Sequence, residues 1–154
     1  LGLMRLRVEP RLALEERPGD LYRVSFFDEI QVAGALFEGL TRLNPQTHQP
    51  EPAVAESWEH SPDRLTYVFR FRPQARWSNG ESVTAEHFRW SWLRLLDPAV
   101  EAQYASLLFV VDGAEAYYRS RLGASQPGGH VAAESVGIDA FDSATLRVRL
   151  AAPC

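Results

Sequence analysis

The side chains that most often carry acid–base, nucleophilic or metal chemistry are dispersed along this sequence. Its histidines are His48, His60, His87 and His130, and no two of them have the His-x-x-x-His spacing that places two metal ligands on one face of a helix. No Gly-x-Ser-x-Gly elbow is present to activate a serine nucleophile. A phosphate-binding Gly-x-x-x-x-Gly-Lys loop is impossible because the sequence has no lysine. These patterns predict a protein that is not an enzyme, with no metal site and no cofactor.

Adjacent acidic residues do not supply a catalytic pair either. Glu15 is followed by Glu16, and Asp28 by Glu29. Side chains of consecutive residues point apart on a helix or a strand. We therefore interpret these four residues as surface charge, with Asp28 also suited to cap a helix that follows it.

Composition predicts a compact soluble domain that does not bind nucleic acid. Hydrophobic residues make up 45% of the 154 residues, and a chain of this size can bury about two thirds of its unfolded surface. The net charge is −4, whereas phosphate binding requires a clustered basic surface. No apolar run approaches the roughly 20 residues that span a bilayer. The single cysteine, Cys154, leaves no internal disulfide.

The elements that must position a binding site are clearest in the aromatic-rich segment Trp77–Trp92. Asn79-Gly80 is typical of a tight turn, because Asn tolerates and Gly readily adopts a left-handed backbone. Thr84 is predicted to be the N-cap of a helix. Apolar residues recur at helical spacing from Phe88 onwards. Pro98 is predicted to end that helix, since proline disfavours helical geometry in the preceding residue.

The remaining periodicities predict a mixed α and β domain with antiparallel pairing. Alternation of apolar and polar residues predicts a strand over residues 65–72, and a hairpin is predicted between residues 136–138 and 145–150. Trp58, Trp77 and Trp92 are expected in the core. Further predicted elements are a short strand at residues 3–8, a helix over residues 29–39, helical stretches at about residues 101–110 and 112–121, and a flexible linker at residues 123–129.

Several segments occur in an order and at spacings that resemble a known protein family. They are Leu36–Leu40, Leu43–Pro45, Pro52–Trp58, Leu65–Arg72, Trp77–Trp92, Leu95–Pro98, Gln103–Leu108 and Val136–Leu150. Together they resemble the N-terminal portion of the bacterial extracellular solute-binding proteins of family 5, the oligopeptide- and dipeptide-binding proteins of ABC importers. The resemblance covers about residues 36–153. It implies an α+β chain with the periplasmic binding protein type II fold, in which helices accompany a mixed antiparallel sheet.

The resemblance also implies a division of the chain. Residues 1–37 are expected to be an N-terminal strip of the main ligand-binding lobe. Residues 38–154 are expected to be a small α+β satellite domain, truncated at its C-terminal end. Full-length relatives are several times longer and close two lobes around a ligand, so the 154 residues are expected to be an N-terminal fragment.

Four residues are candidates for ligand binding by the same resemblance. Tyr104 matches a position that touches bound peptide in oligopeptide-binding relatives, where a rigid ring with a hydroxyl can flank an extended chain. The alternative is that Tyr104 only packs between two helices. Phe26, Phe27 and Asp28 occupy a segment that lines the ligand cleft in the family, although Asp28 alternatively serves only as an N-cap.

The function implied is that of the substrate-binding component of an ABC importer. Such a protein captures an extracellular oligopeptide and delivers it to a membrane permease, from the periplasm or the outer face of the cytoplasmic membrane. The fragment alone is not expected to bind peptide tightly. The alternatives are a family member with a non-peptide ligand, such as a metal complex, haem or a sugar, and a stand-alone interaction or sensor domain.

Overall fold

The computed structural model describes residues 37–122 and 129–153. These residues belong to two compact units: one comprises residues 37–54 and Gln74–Ser82, and the other comprises Ala55–Pro73, residues 83–122 and residues 129–153. The strand predicted at residues 3–8 and most of the predicted linker lie outside the described residues. So does most of the helix predicted over residues 29–39, and its described end, residues 37–39, is not helical.

The first unit contains a two-stranded antiparallel ribbon. Strand β1, Thr41–Leu43, pairs with β2, Pro50–Pro52. Both ends of β2 are prolines, which cannot donate to a ladder, so the strand stays short. The connecting loop is fixed by Asn44, whose Oδ1 accepts the backbone N–H groups of residues 46 and 47 at 2.8 and 2.9 Å.

The predicted turn after Trp77 is confirmed. Gly80 has φ +91°, and its N–H donates to the Trp77 carbonyl at 2.9 Å. The Asn79 Oδ1 accepts the Glu81 N–H at 3.0 Å, so the turn uses both residues that the sequence singled out. The turn connects Arg76 and Ser82, which pair with each other as an isolated antiparallel bridge within the first unit.

The second unit is built on a four-stranded antiparallel sheet. Its strands are β3, Ala55–His60; β4, Thr66–Phe71; β5, Ile138–Asp142; and β6, Thr145–Arg149. Their order across the sheet is β3-β4-β6-β5. The strand predicted at residues 65–72 and the predicted C-terminal hairpin are therefore confirmed, as is antiparallel pairing.

An aspartate fixes each hairpin turn of this sheet. The Asp63 carboxylate accepts the Ser61 hydroxyl and the Leu65 N–H, and the Ser61 hydrogen bond is the main reason that the pKa of Asp63 is lowered. Asp142 accepts the Ala144 N–H at 2.7 Å, which is the main cause of its own lowered pKa. Both carboxylates thus hold their turns in the charged form.

Helix α1, Ala85–Leu95, begins where the sequence predicts. Thr84 is its N-cap, and the Thr84 N–H donates to the Nδ1 atom of His87 at 3.1 Å. His87 is therefore an exposed first-turn residue that helps to cap the helix. The helix ends before Pro98, which begins a short 3-10 helix, Pro98–Val100, with Asp97 as its N-cap.

The core of the second unit lies between α1 and one face of the sheet. Helix α1 packs on β5 and β6, and Phe88 contacts Phe71 edge-on at 5.2 Å between ring centroids. Leu96 and Leu146 are completely buried and Ile138 is 1% exposed. The expected core tryptophans differ from this pattern, since Trp58, Trp77 and Trp92 are only half-buried.

Two helical segments of six residues each follow Pro98–Val100, and a 3-10 helix, Ala133–Ser135, comes later in the chain. Residues Ala105–Val110 form a 3-10 helix, and helix α2 is Ala114–Arg119. They confirm the predicted helical stretches in shorter form. Gly113, with φ +72°, separates them, and a Cβ at this position would lie 2.7 Å from the Ser135 carbonyl oxygen. Only glycine fits that approach.

Candidate functional site

The four predicted site residues are described unequally. Tyr104 lies within the described part of the chain. Phe26, Phe27 and Asp28 lie outside the described residues, so their place relative to Tyr104 stays a prediction.

Tyr104 stands at the start of the 3-10 helix Ala105–Val110, as its N-cap. Its backbone carbonyl accepts the Leu107 N–H at 3.0 Å, which ties Tyr104 to the first turn. The next residue, Ala105, is 4% exposed, whereas Tyr104 is 46% exposed. A small buried residue thus anchors the helix, and a large amphipathic ring lies beside it at the surface.

Backbone hydrogen bonds attach this helix to the sheet. Val111 forms a bridge with Leu150, and the Ala151 N–H donates to the Val110 carbonyl at 2.9 Å. Asp112 continues the junction, since its N–H donates to the Arg149 carbonyl at 2.9 Å. The helix that carries Tyr104 is therefore held by its C-terminal end to the strand region that follows β6.

Gly137 completes this junction. Its N–H donates to the Asp112 carbonyl and its carbonyl accepts the Arg149 N–H, each at 2.8 Å. A Cβ on Gly137 would lie 2.7 Å from the Arg149 carbonyl oxygen. The close approach of three backbone segments thus requires glycine here.

A groove of about 360 Å³ opens beside the same helix. It is lined by Tyr67, Phe69, Trp92, Leu108, Val110, Val111, Val148 and Leu150. The lining comes from α1, from the 3-10 helix and from the apolar face of the sheet, and none of it is charged. The sequence does not predict the groove, because the alternating pattern of β4 and the helical pattern of α1 each look like ordinary core when read alone.

Charged residues collect on the other face of the sheet. Arg147 and Arg149 alternate with the buried Leu146 and Val148 along β6, as strand geometry requires. Both arginines pair with Asp139, at 3.1 and 3.0 Å. This network is half-exposed, so we expect it to contribute little to stability.

Within residues 37–122 and 129–153, no three His, Cys, Asp or Glu side chains lie close enough together to hold a metal ion. His60 instead contacts the ring of Tyr67, with 5.7 Å between centroids. Of the helices formed by these same residues, none is long and apolar enough to span a membrane.

Comparison of the sequence with known proteins finds matches to one protein family. Residues 49–154 match the sequence model of the "Bacterial extracellular solute-binding proteins, family 5 Middle". The dipeptide-binding protein DppE of Bacillus subtilis is 42% identical over 118 residues, which are 77% of this chain and 20% of DppE.

Solved structures agree with the sequence matches. The OppA protein of Haemophilus influenzae, crystallised in complex with RPPGFSPFR, has a TM-score of 0.71 at 36% identity, over 82% of this chain and 23% of that one. The substrate-binding domain of an oligopeptide ABC transporter from Bacillus anthracis has a TM-score of 0.69 at 40% identity, over 80% and 22%. The chain thus spans about a fifth of the length of the relatives that it matches.

Proposed function

We propose that this chain, which belongs to the bacterial extracellular solute-binding proteins of family 5, is one part of the substrate-binding component of an ABC importer for oligopeptides. The observation that carries the proposal is the agreement between sequence and fold. The family match covers residues 49–154, and the similar solved structures include a protein in complex with RPPGFSPFR. A binding protein of this kind needs no catalytic step.

The proposed place of action is the periplasm or the outer face of the cytoplasmic membrane. Relatives of this chain are named as periplasmic oligopeptide-binding proteins. The proposed partners are an oligopeptide and the permease of the importer. The net charge of −4 gives no electrostatic reason to bind nucleic acid.

Within this function, Tyr104 is proposed to border the peptide. Tyr104 is 46% exposed, and the helix that follows it is attached to the sheet by backbone hydrogen bonds, so the residue stands on a supported element. Phe26, Phe27 and Asp28 are proposed as further ligand contacts. Residues 1–37 are proposed to belong to the ligand-binding lobe, and residues 38–154 to the satellite domain.

Peptide binding should require more polypeptide than these 154 residues. Binding sites bury about 70–90% of a small ligand, and one wall of a cleft cannot enclose an extended peptide. The appropriate protein for testing is therefore a chimera, in which this chain replaces the matching fifth of Bacillus subtilis DppE. Isothermal titration of the chimera with di- to pentapeptides should give saturable binding. A folded chimera without binding would contradict the proposal.

Two substitutions in the chimera test the role of Tyr104. We expect Tyr104→Ala to weaken peptide binding about tenfold, equivalent to about 1.4 kcal/mol, with the Tm of the unliganded protein unchanged. Equal loss in Tyr104→Phe would assign the effect to the hydroxyl, and loss only in Tyr104→Ala would assign it to the ring. The control is Phe141→Ala, at a residue of β5 that is 73% exposed. Unchanged affinity in both Tyr104 variants would remove Tyr104 from the site.

A further inference from the structure

The groove beside the 3-10 helix has the composition of a domain core and the exposure of a surface. Its floor includes Val111 and Val148, which are 2% and 5% exposed. Its walls include the large rings of Tyr67, Phe69 and Trp92, which remain half-buried. Aromatic side chains have the most apolar area to remove from water, so leaving these three partly exposed forfeits stability.

The rim of the groove is also apolar. Val110, which lines the groove, is 53% exposed, and Leu107, which is on the same helix but outside the lining, is 69% exposed. Val110 additionally borders a second depression of about 420 Å³, which Phe109 and Pro153 help to line. Apolar surface that is continuous in this way marks a place where other polypeptide docks.

The size of the relatives indicates what that polypeptide is. All eight groove residues lie between positions 49 and 154, which match the family. That part accounts for only about a fifth of each relative, so a family member has about four times as much further polypeptide available to cover it. Because no lining residue is charged, the covering segment must present apolar side chains.

We propose that the groove seats an apolar segment from the part of a full-length binding protein that lies outside the matched fifth. The proposal rests on the proposed function, in which this chain is one part of a longer protein. The docked segment would bury Tyr67, Phe69 and Trp92, and would clamp the helix that carries Tyr104 between the sheet and the remainder of the protein.

The test compares one substitution in two proteins, the 154-residue chain and the DppE chimera. Val110→Asp places a charge at the rim of the groove, and in the 154-residue chain this charge is exposed to water. We expect its Tm to stay within about a degree of the parent, and the Tm of the chimera to fall by several degrees, because there the carboxylate is buried without a partner. Phe141→Asp is the matched control, because it also replaces an exposed apolar residue; it should leave both melting temperatures nearly unchanged.

A hydrophobic dye gives a second readout. The fluorescent probe ANS should bind the 154-residue chain, lose binding in Val110→Asp, and bind the chimera weakly or not at all. Should the short chain not hold its fold, the chimera alone decides, because Val110→Asp must then lower its Tm more than Phe141→Asp does.

Three outcomes would overturn the proposal. An equal fall in Tm in both proteins would mean that the groove is already covered within the 154 residues. No fall in Tm in either protein would mean that the groove stays exposed to solvent in the longer protein as well. Dimerisation of the short chain that Val110→Asp abolishes, with the chimera unaffected, would mean that a second copy is the occupant. A chimera that shows the expected melting pattern without binding peptide would contradict the proposed function and leave the groove proposal standing.

Discussion

The apolar face of the four-stranded sheet has two parts that share one chemistry and differ in their cover. In the closed part, α1 packs over β5 and β6, and Leu96, Leu146 and Ile138 are at most 1% exposed. In the open part, Tyr67 and Phe69 of β4 face the groove. Phe69 stands directly opposite Leu146 in the ladder, so neighbouring residues on the same face have very different exposure.

The difference shows that residue type alone does not define a core. A strand offers its apolar face wherever the alternation continues, and another element must then cover that face. Helix α1 covers the closed part from within the described chain. The open part is where we infer that the rest of a longer protein docks, and Tyr104 lies on the helix at its border.

The largest expected effect on the free energy of unfolding comes from truncating one side chain in the closed part of the sheet face, compared with one in the open part. Leu146→Ala should lower the free energy of unfolding by about 2–5 kcal/mol, because it creates a cavity at a fully buried site. Phe69→Ala should cost only about 1 kcal/mol in the 154-residue chain, since a half-buried ring has less apolar area to lose. Urea titration followed by circular dichroism measures both. A cost for Phe69→Ala equal to that for Leu146→Ala would show that the groove is already core.

A smaller effect is expected where Gly137, Asp112 and Arg149 exchange the backbone hydrogen bonds that attach the 3-10 helix to the sheet. Gly137→Ala brings a methyl group 2.7 Å from the Arg149 carbonyl oxygen and 2.9 Å from the Arg149 Cβ, so backbone must move, at a cost of about 1–3 kcal/mol. Amides 110–112 should then exchange faster with solvent, because they share this junction.

Gly80 provides the control for glycine substitution at an uncrowded site. It has φ +91°, and a Cβ added there would meet nothing within 4 Å. Gly80→Ala should therefore cost about 1–2 kcal/mol through backbone strain alone, with no change in exchange at residues 110–112. Unchanged exchange in Gly137→Ala would mean that the junction does not hold the helix.

The smallest effect concerns pH and the hairpin turn of the closed part. The pKa of Asp142 is lowered from its usual 3.8, first by the Ala144 N–H and then by the Thr145 side chain. A lowered pKa in the folded state stabilises the fold above pH 3.8, and this contribution is lost as the pH falls through the lowered value. Asp142→Asn should therefore lower the Tm slightly at about pH 7 and not at about pH 2. A Tm difference that is the same at both pH values would contradict this account.

Much of the fold could be predicted because local signals coincide with it. The turn at Asn79-Gly80, the Thr84 cap, the end of α1 before Pro98 and the strand around Phe69 all depend on residues close in sequence. The tryptophans show where such reasoning stops. Trp92 lies on the apolar side of a clear amphipathic helix, yet it is half-buried. The helical period places a residue on a face of the helix but does not specify which elements pack over that face.

The candidate site is less predictable for the same reason. Tyr104 is singled out by family resemblance, and its local pattern alone does not separate a surface ring from a packed one. The groove is assembled from α1, the 3-10 helix, β4 and β6, which are distant in sequence, so no single motif reveals it. A signal is present in the apolar run Leu107–Val111, which is too hydrophobic for a short surface helix.

Accessibility of the groove rim tests the central claim most directly. In a Cys154→Ser background, Val110→Cys places one thiol at the rim, and Phe141→Cys places one on the exposed end of β5. We expect a maleimide to label both positions rapidly in the 154-residue chain. In the DppE chimera, Val110→Cys should react at least tenfold more slowly while Phe141→Cys remains fast. Equal labelling of Val110→Cys in the two proteins would show that no part of the longer protein covers the groove, and would contradict the account.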